Sequence, residues 1–150
     1  DPEMAKVLAF RTLRLPPKLR VIRLERSEAV MYGPGTVFFD GHAFFPGRGP
    51  TVVTCGYLVE YFVKRGREVF DVFQIKPVPQ ALIDILDFQP IVETYEEQFL
   101  PGGFGSAILE ALSDAGATTR VIRYGLPERA IIENGTRDQL LESAWNLSSI

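Results

Sequence analysis

From Thr36 onward, short runs rich in β-branched and aromatic residues alternate with stretches whose apolar residues recur every three or four positions. That alternation constrains the fold more than any other feature. Thr51-Val52-Val53-Thr54-Cys55 has the β-branched content of a buried strand, and Gly56 ends it. Leu58, Val59, Phe62 and Val63 follow at helical spacing as far as Gly66. Val69, Val72 and Phe73 mark the next strand, and Gln80 to Leu86 predicts a short helix with Leu82, Ile83 and Leu86 on one stripe. Ile91-Val92-Glu93-Thr94 is strand again. Phe104 to Ala115 then predicts a helix with Ile108, Leu109 and Leu112 on one face and Gly116 as its C-cap. Arg120-Val121-Ile122-Arg123-Tyr124 is the last strand, and Thr136 caps a final helix carrying Leu140, Leu141, Ala144 and Trp145. Strands separated by helices are joined by crossovers, which makes the sheet mostly parallel and covers both of its faces.

The expected fold class is therefore α/β, a three-layer α/β/α domain around a mixed, mostly parallel sheet of five strands. The antiparallel part is expected at the start. Val37-Phe38-Phe39 and Ala43-Phe44-Phe45 flank Asp40-Gly41, a dipeptide suited to a tight hairpin. Pro46-Gly47-Arg48-Gly49-Pro50 reads as a second turn. Alternation buries one face of such a hairpin, so Phe38, Phe39, Phe44 and Phe45 leave apolar surface suited to an interface. Residues 1–35 do not read as a domain. Leu15-Pro16-Pro17 ends any helix begun at Met4, Arg20 to Leu24 alternates as a short strand, and Tyr32-Gly33-Pro34-Gly35 is turn chemistry. The expected organisation is a linker and remnant over 1–35 and a domain over 36–150.

Composition excludes several function classes. A net charge of −3 carries no footprint for nucleic acid. The basic group Arg11, Arg14, Lys18, Arg20, Arg23 and Arg26 is interleaved with Leu, Val and Pro and reads as a solvated face. One cysteine, Cys55, cannot form an internal disulfide and fits a reducing compartment. One histidine, His42, excludes a Cys/His zinc site. No apolar run has the length of a membrane span and no secretory leader is legible, so a cytoplasmic protein without membrane partners is expected.

Two motifs invite chemistry. Gly102-Gly103-Phe104-Gly105-Ser106 follows a strand and opens a helix, where bare amides and the helix dipole favour an anion. Its glycine spacing is not that of a dinucleotide fingerprint, and no lysine follows as in a phosphate-binding loop. Glycines at a helix start equally serve close packing, and Glu96 and Glu97 just upstream repel an anion, so the packing role is the expected one. Glu96 and Glu97 are not automatically an acid/base pair, because neighbours on extended chain point to opposite faces. Helix-start stabilisation, a salt bridge or a metal contact are the open roles. Lys76-Pro77-Val78-Pro79 reads as a sharp strand exit rather than the desolvated setting of a Schiff-base lysine.

Taken in order, Glu96-Glu97, the glycine turn, the apolar helix, Gly125-Leu126-Pro127-Glu128 and Glu133-Asn134-Gly135-Thr136-Arg137-Asp138 resemble the C-terminal domain of the transketolase family of thiamine-diphosphate enzymes. The resemblance is to the transketolase and deoxyxylulose-phosphate synthase branch. It implies a parent enzyme that moves a two-carbon ketol unit between sugar phosphates, with thiamine diphosphate and magnesium. The deoxyxylulose-phosphate synthases and the 2-oxoacid dehydrogenases and oxidoreductases are alternatives, as is a module binding a small anionic effector at the glycine turn. The family's Gly-Asp-Gly and asparagine cofactor signature is not in this sequence. The resemblance thus implies a non-catalytic assembly domain with no cofactor or metal of its own, whose partners are the catalytic domains or subunit and a second copy. It also puts Glu96, Glu97, Gly102, Gly103, Gly105 and Ser106 near subunit contacts, and makes residues 1–35 the tail of a preceding pyrimidine-binding domain.

Overall fold

The computed structural model describes residues 2–17, 19–24, 32, 38–130 and 132–145. The chain divides into two compact units, Asp1–Phe38 and Phe39–Ile150. The first holds α1 (Pro2–Arg14), none of whose residues is buried. It ends as Leu15-Pro16-Pro17 requires, since proline withdraws a helix donor and constrains the residue before it. Arg20 to Leu24 is not a strand. Alternation alone does not hold extended chain; its amides and carbonyls need a neighbouring strand. Residues 33–37, which carry most of the expected turn and the start of the expected hairpin, lie outside the described residues, as do Lys18 and Arg26 of the basic group.

The second unit contains β1 (His42–Phe45), β2 (Arg48–Thr54), α2 (Tyr57–Val63), β3 (Arg67–Val72), α3 (Gln80–Asp87), β4 (Ile91–Phe99), α4 (Phe104–Asp114), β5 (Arg120–Leu126) and α5 (Arg137–Trp145). They build one five-stranded sheet in the order β1-β3-β2-β4-β5. β3, β2, β4 and β5 are parallel neighbours, and β1 is antiparallel to β3.

The hairpin expected across Asp40-Gly41 is replaced by a longer-range pairing. Phe38 and Phe39 are not strand, and β1 pairs with β3, His42 opposite Val72 and Phe44 opposite Phe70. Gly41 does take the positive φ that an Asp-Gly dipeptide offers, at 83°. Its carbonyl, however, accepts the amides of Phe73 (3.1 Å) and Gln74 (3.0 Å) and so caps the end of β3. The stretch expected as a second turn is shorter, because β2 already begins at Arg48.

Strand parity sorts the core into two layers. Val53, Phe70, Val72 and Val92 point to the face covered by α3 and α4, where they meet Leu82, Ile83, Leu86, Phe104, Ile108 and Leu112. The opposite parity sends Tyr95 toward α2 and α5, against Phe62 at 4.3 Å and Trp145 at 5.5 Å between ring centroids. Each aliphatic side chain so enclosed contributes roughly 1.5–3 kcal/mol of burial. The sheet is thus covered on both faces, which is why β2 reads as a continuous β-branched run.

Candidate functional site

The carboxyl end of β4 carries the two carboxylates, and the pleat separates them. Glu96 shares the face of Val92 and Thr94 and points at the first turn of α4. Glu97 points to the other face, toward α5. Glu96 is 2% exposed. Its Oε1 accepts the Gly105 amide at 3.0 Å, while Oε2 has no hydrogen-bond partner. Burial pushes the Glu96 carboxyl above the usual carboxylate range; the Gly105 and Phe104 amides and the Arg123 guanidinium pull the other way. An anion arriving at this turn would meet a carboxylate already in position.

The glycines are explained by that carboxylate. A Cβ on Gly103 would collide with Glu96 Oε2 and stand 2.5 Å from the Phe99 carbonyl. A Cβ on Gly105 would stand 2.5 Å from Thr94 Oγ1, 2.9 Å from Glu96 Oε1 and 3.1 Å from Arg123 Cδ. Both residues keep negative or extended backbone, so the requirement is close approach rather than dihedral freedom. Gly102 differs: its φ is +68° and a Cβ there meets nothing within 4 Å. Ser106 Oγ donates to the Leu100 carbonyl at 2.7 Å, and Arg123 Nη1 donates to both Ser106 Oγ (2.7 Å) and Leu100 O (3.2 Å). The loop between β4 and α4 is held from beneath by one carbonyl with several donors.

Glu97 is engaged by Arg137, whose Nε donates to Oε1 at 2.7 Å and whose Nη2 donates to Oε2. The same guanidinium lies 4.2 Å from the centre of the Tyr57 ring. Tyr57 donates its hydroxyl proton to Asp138 at 2.6 Å, and Tyr61 donates to Glu142 at 2.9 Å beneath Arg65. Burial, followed by the bond to Glu142, pushes the Tyr61 phenol up to about 12. These contacts tie α5 to α2 and β4.

Of the aromatic residues expected at an interface, Phe39 is 57% and Phe44 43% exposed, whereas Phe45 and Phe38 are half-buried. Phe39 stacks on His42, which is buried against Phe70 with no partner at Nδ1, and Phe44 packs on the same Phe70 ring. Cys55 packs half-buried against the α3–α4 core, and Lys76 is exposed. Sequence reasoning missed Arg123 and Arg137. Parity with Val121 was the signal for Arg123. A cation in the first turn of a helix, where the dipole disfavours it, was the signal for a paired Arg137.

Among the described residues no three His, Cys, Asp or Glu side chains gather as metal ligands. No helix among the described residues is long and apolar enough to cross a membrane.

No family profile matches the chain. It is 31% identical over 120 residues to the 1-deoxy-D-xylulose-5-phosphate synthase of Chlorobium phaeovibrioides, covering 73% of this chain and 19% of that one. It is 30% identical over 135 residues to the same enzyme of Cytophaga hutchinsonii, covering 79% and 21%. Over 68 residues, 44% of this chain and 10% of the relative, it is 48% identical to that of Syntrophotalea carbinolica. At best the chain spans about a fifth of the length of these relatives. Among solved structures it is similar to a split-gene transketolase described as an inactive β4 tetramer, with a TM-score of 0.58 and 24% identity, over 77% of this chain and 41% of that one.

Proposed function

This chain is a C-terminal domain of the transketolase family, whose members depend on thiamine diphosphate, and from that premise we propose that it serves assembly and the shaping of an active site held elsewhere. The observation that carries the reading is the engagement of both conspicuous carboxylates within the domain, Glu96 at α4 and Glu97 at Arg137. Neither is left as an acid or base for a substrate, and a general base must reach the proton it takes. The chemistry would belong to the other four-fifths of a full-length relative, where thiamine diphosphate and magnesium would be held. Two-carbon ketol transfer and deoxyxylulose-phosphate synthesis are both carried within this family. The relatives' names favour the synthase branch.

The partners in this reading are the catalytic domains or subunit, together with a second copy of the chain. The glycine turn from Gly102 to Ser106, with Glu96 and Glu97, and the exposed rings of Phe39 and Phe44 with half-buried Phe45 are the surfaces of this domain proposed to meet them; Phe38, in the first unit, is proposed separately. The single cysteine is consistent with a cytoplasmic setting. The reading is tested by mixing the chain with a transketolase-type catalytic polypeptide that lacks this domain and following complex formation and turnover. A complex with restored turnover is expected. Failure to associate at micromolar concentrations would overturn it.

A further inference from the structure

The first turn of α4 has the parts of an oxyanion site. The Gly105 amide donates at 3.0 Å and the Phe104 amide favours the same charge. The Arg123 side chain comes within 3.1 Å of where a Gly105 Cβ would stand, and its guanidinium reaches Ser106 Oγ at 2.7 Å. The α4 helix, Phe104–Asp114, is long enough for its dipole to act there. A second, independent feature marks the place. Glu96 is aimed into it, is 98% buried by its 2% exposure, and keeps Oε2 without any partner. Thr94 Oγ1, beside Gly105, is a second buried oxygen without a partner. A buried, half-satisfied carboxylate is expensive unless it does something for the turn it enters.

We infer that the N-terminus of α4 is a carboxylate seat that the chain fills with its own Glu96, and that removing this side chain's carboxylate opens the seat to a small free carboxylate. Replacing Glu96 by Ala deletes a methylene and a carboxylate, the size and charge of one acetate ion. The glycines at 103 and 105 leave room for that group, since a Cβ at either would press on the carboxylate oxygens. The unaltered domain is accordingly closed to external anions at this turn.

The test is chemical rescue. Thermal melts of the parent, Glu96→Ala, Glu96→Gln and the double variant Glu96→Ala with Arg123→Met are run in sodium acetate and in sodium chloride of equal ionic strength at pH 7. Acetate is expected to raise the midpoint of Glu96→Ala saturably and to leave the parent unmoved. Glu96→Gln, whose amide still occupies the seat, is expected to be unmoved as well, and the double variant to lose most of the gain. An equal acetate effect on parent and Glu96→Ala, or on Glu96→Gln and Glu96→Ala, overturns the inference. If Glu96→Ala does not fold in chloride, refolding in acetate replaces the melt, and no acetate-dependent recovery overturns it equally.

Discussion

At Gly105 a single methyl decides whether β4 and α4 can meet. Its Cβ would press on Thr94, Glu96 and the aliphatic stem of Arg123 at 2.5–3.1 Å, where Thr94 and Glu96 are buried. Gly105→Ala is therefore expected to lose about 1–3 kcal/mol, as overpacked core sites do. Gly102→Ala is the comparison, because space is open there and the penalty is left-handed backbone alone, about 1–2 kcal/mol. Denaturant melts of the two variants in anion-free buffer, with Gly105→Ala no less stable than parent, would contradict the packing account. His42 gives a second prediction at this scale. Burial lowers its pKa below 6.5, with Asp40 opposing. A depressed folded value means the unfolded chain takes the proton first, so stability is held above about 6.5 and falls as pH drops toward the folded value. Glu96, raised by burial, has the opposite slope at lower pH. The difference between parent and His42→Phe isolates the histidine: the gap is expected to widen in favour of the variant from pH 7 to 5. A constant gap would refute it.

The elements were legible where one period dominated. Leu82, Ile83 and Leu86 fixed α3, and Ile108 and Leu112 fixed α4, because each stripe had one face to bury. The end of β4 was not legible, because strand continues through the polar Glu96 and Glu97, whose partners, Gly105 and Arg137, lie 9 and 40 residues away. The strand Ala43 to Phe45 was legible, but its pairing was not, for the same reason. Asp40-Gly41 announces a turn, and nothing local says that its arm pairs with Val69–Val72 rather than Val37–Phe39. Arg20 to Leu24 alternates with no paired strand among the described residues. α5 is the element whose attachment is most testable. Trp145 is buried among Tyr61, Phe62 and Tyr95, and Arg137 pins the other end. Trp145→Ala is expected to lose about 3–5 kcal/mol. Arg137→Met, at a partly exposed ion pair, is expected to lose at most about 1 kcal/mol globally, while raising amide exchange at the start of α5. Exchange unchanged across Arg137 to Leu141 would show that the pair does not hold the helix.

For the molecule as a whole, the proposed function has this chain present surfaces while the reacting groups would sit elsewhere. Exposed Phe39 and Phe44 predict self-association that Phe44→Asp weakens, read by sedimentation over a concentration series. A strictly monomeric parent would remove that surface from the account. The family was legible because its marks are local turns and helix starts, Gly102 to Ser106 and Gly125 to Glu128 among them. The candidate site was legible as a place, whereas the close approach of Gly103 and Gly105 to Glu96 was not, because it depends on how β4 meets α4. The central claim, that this domain assembles and does not hold the cofactor, is tested most directly by titrating the purified chain with thiamine diphosphate and magnesium in a calorimeter. The account predicts no heat beyond dilution at micromolar to submillimolar ligand. One-to-one binding with a micromolar dissociation constant would contradict it.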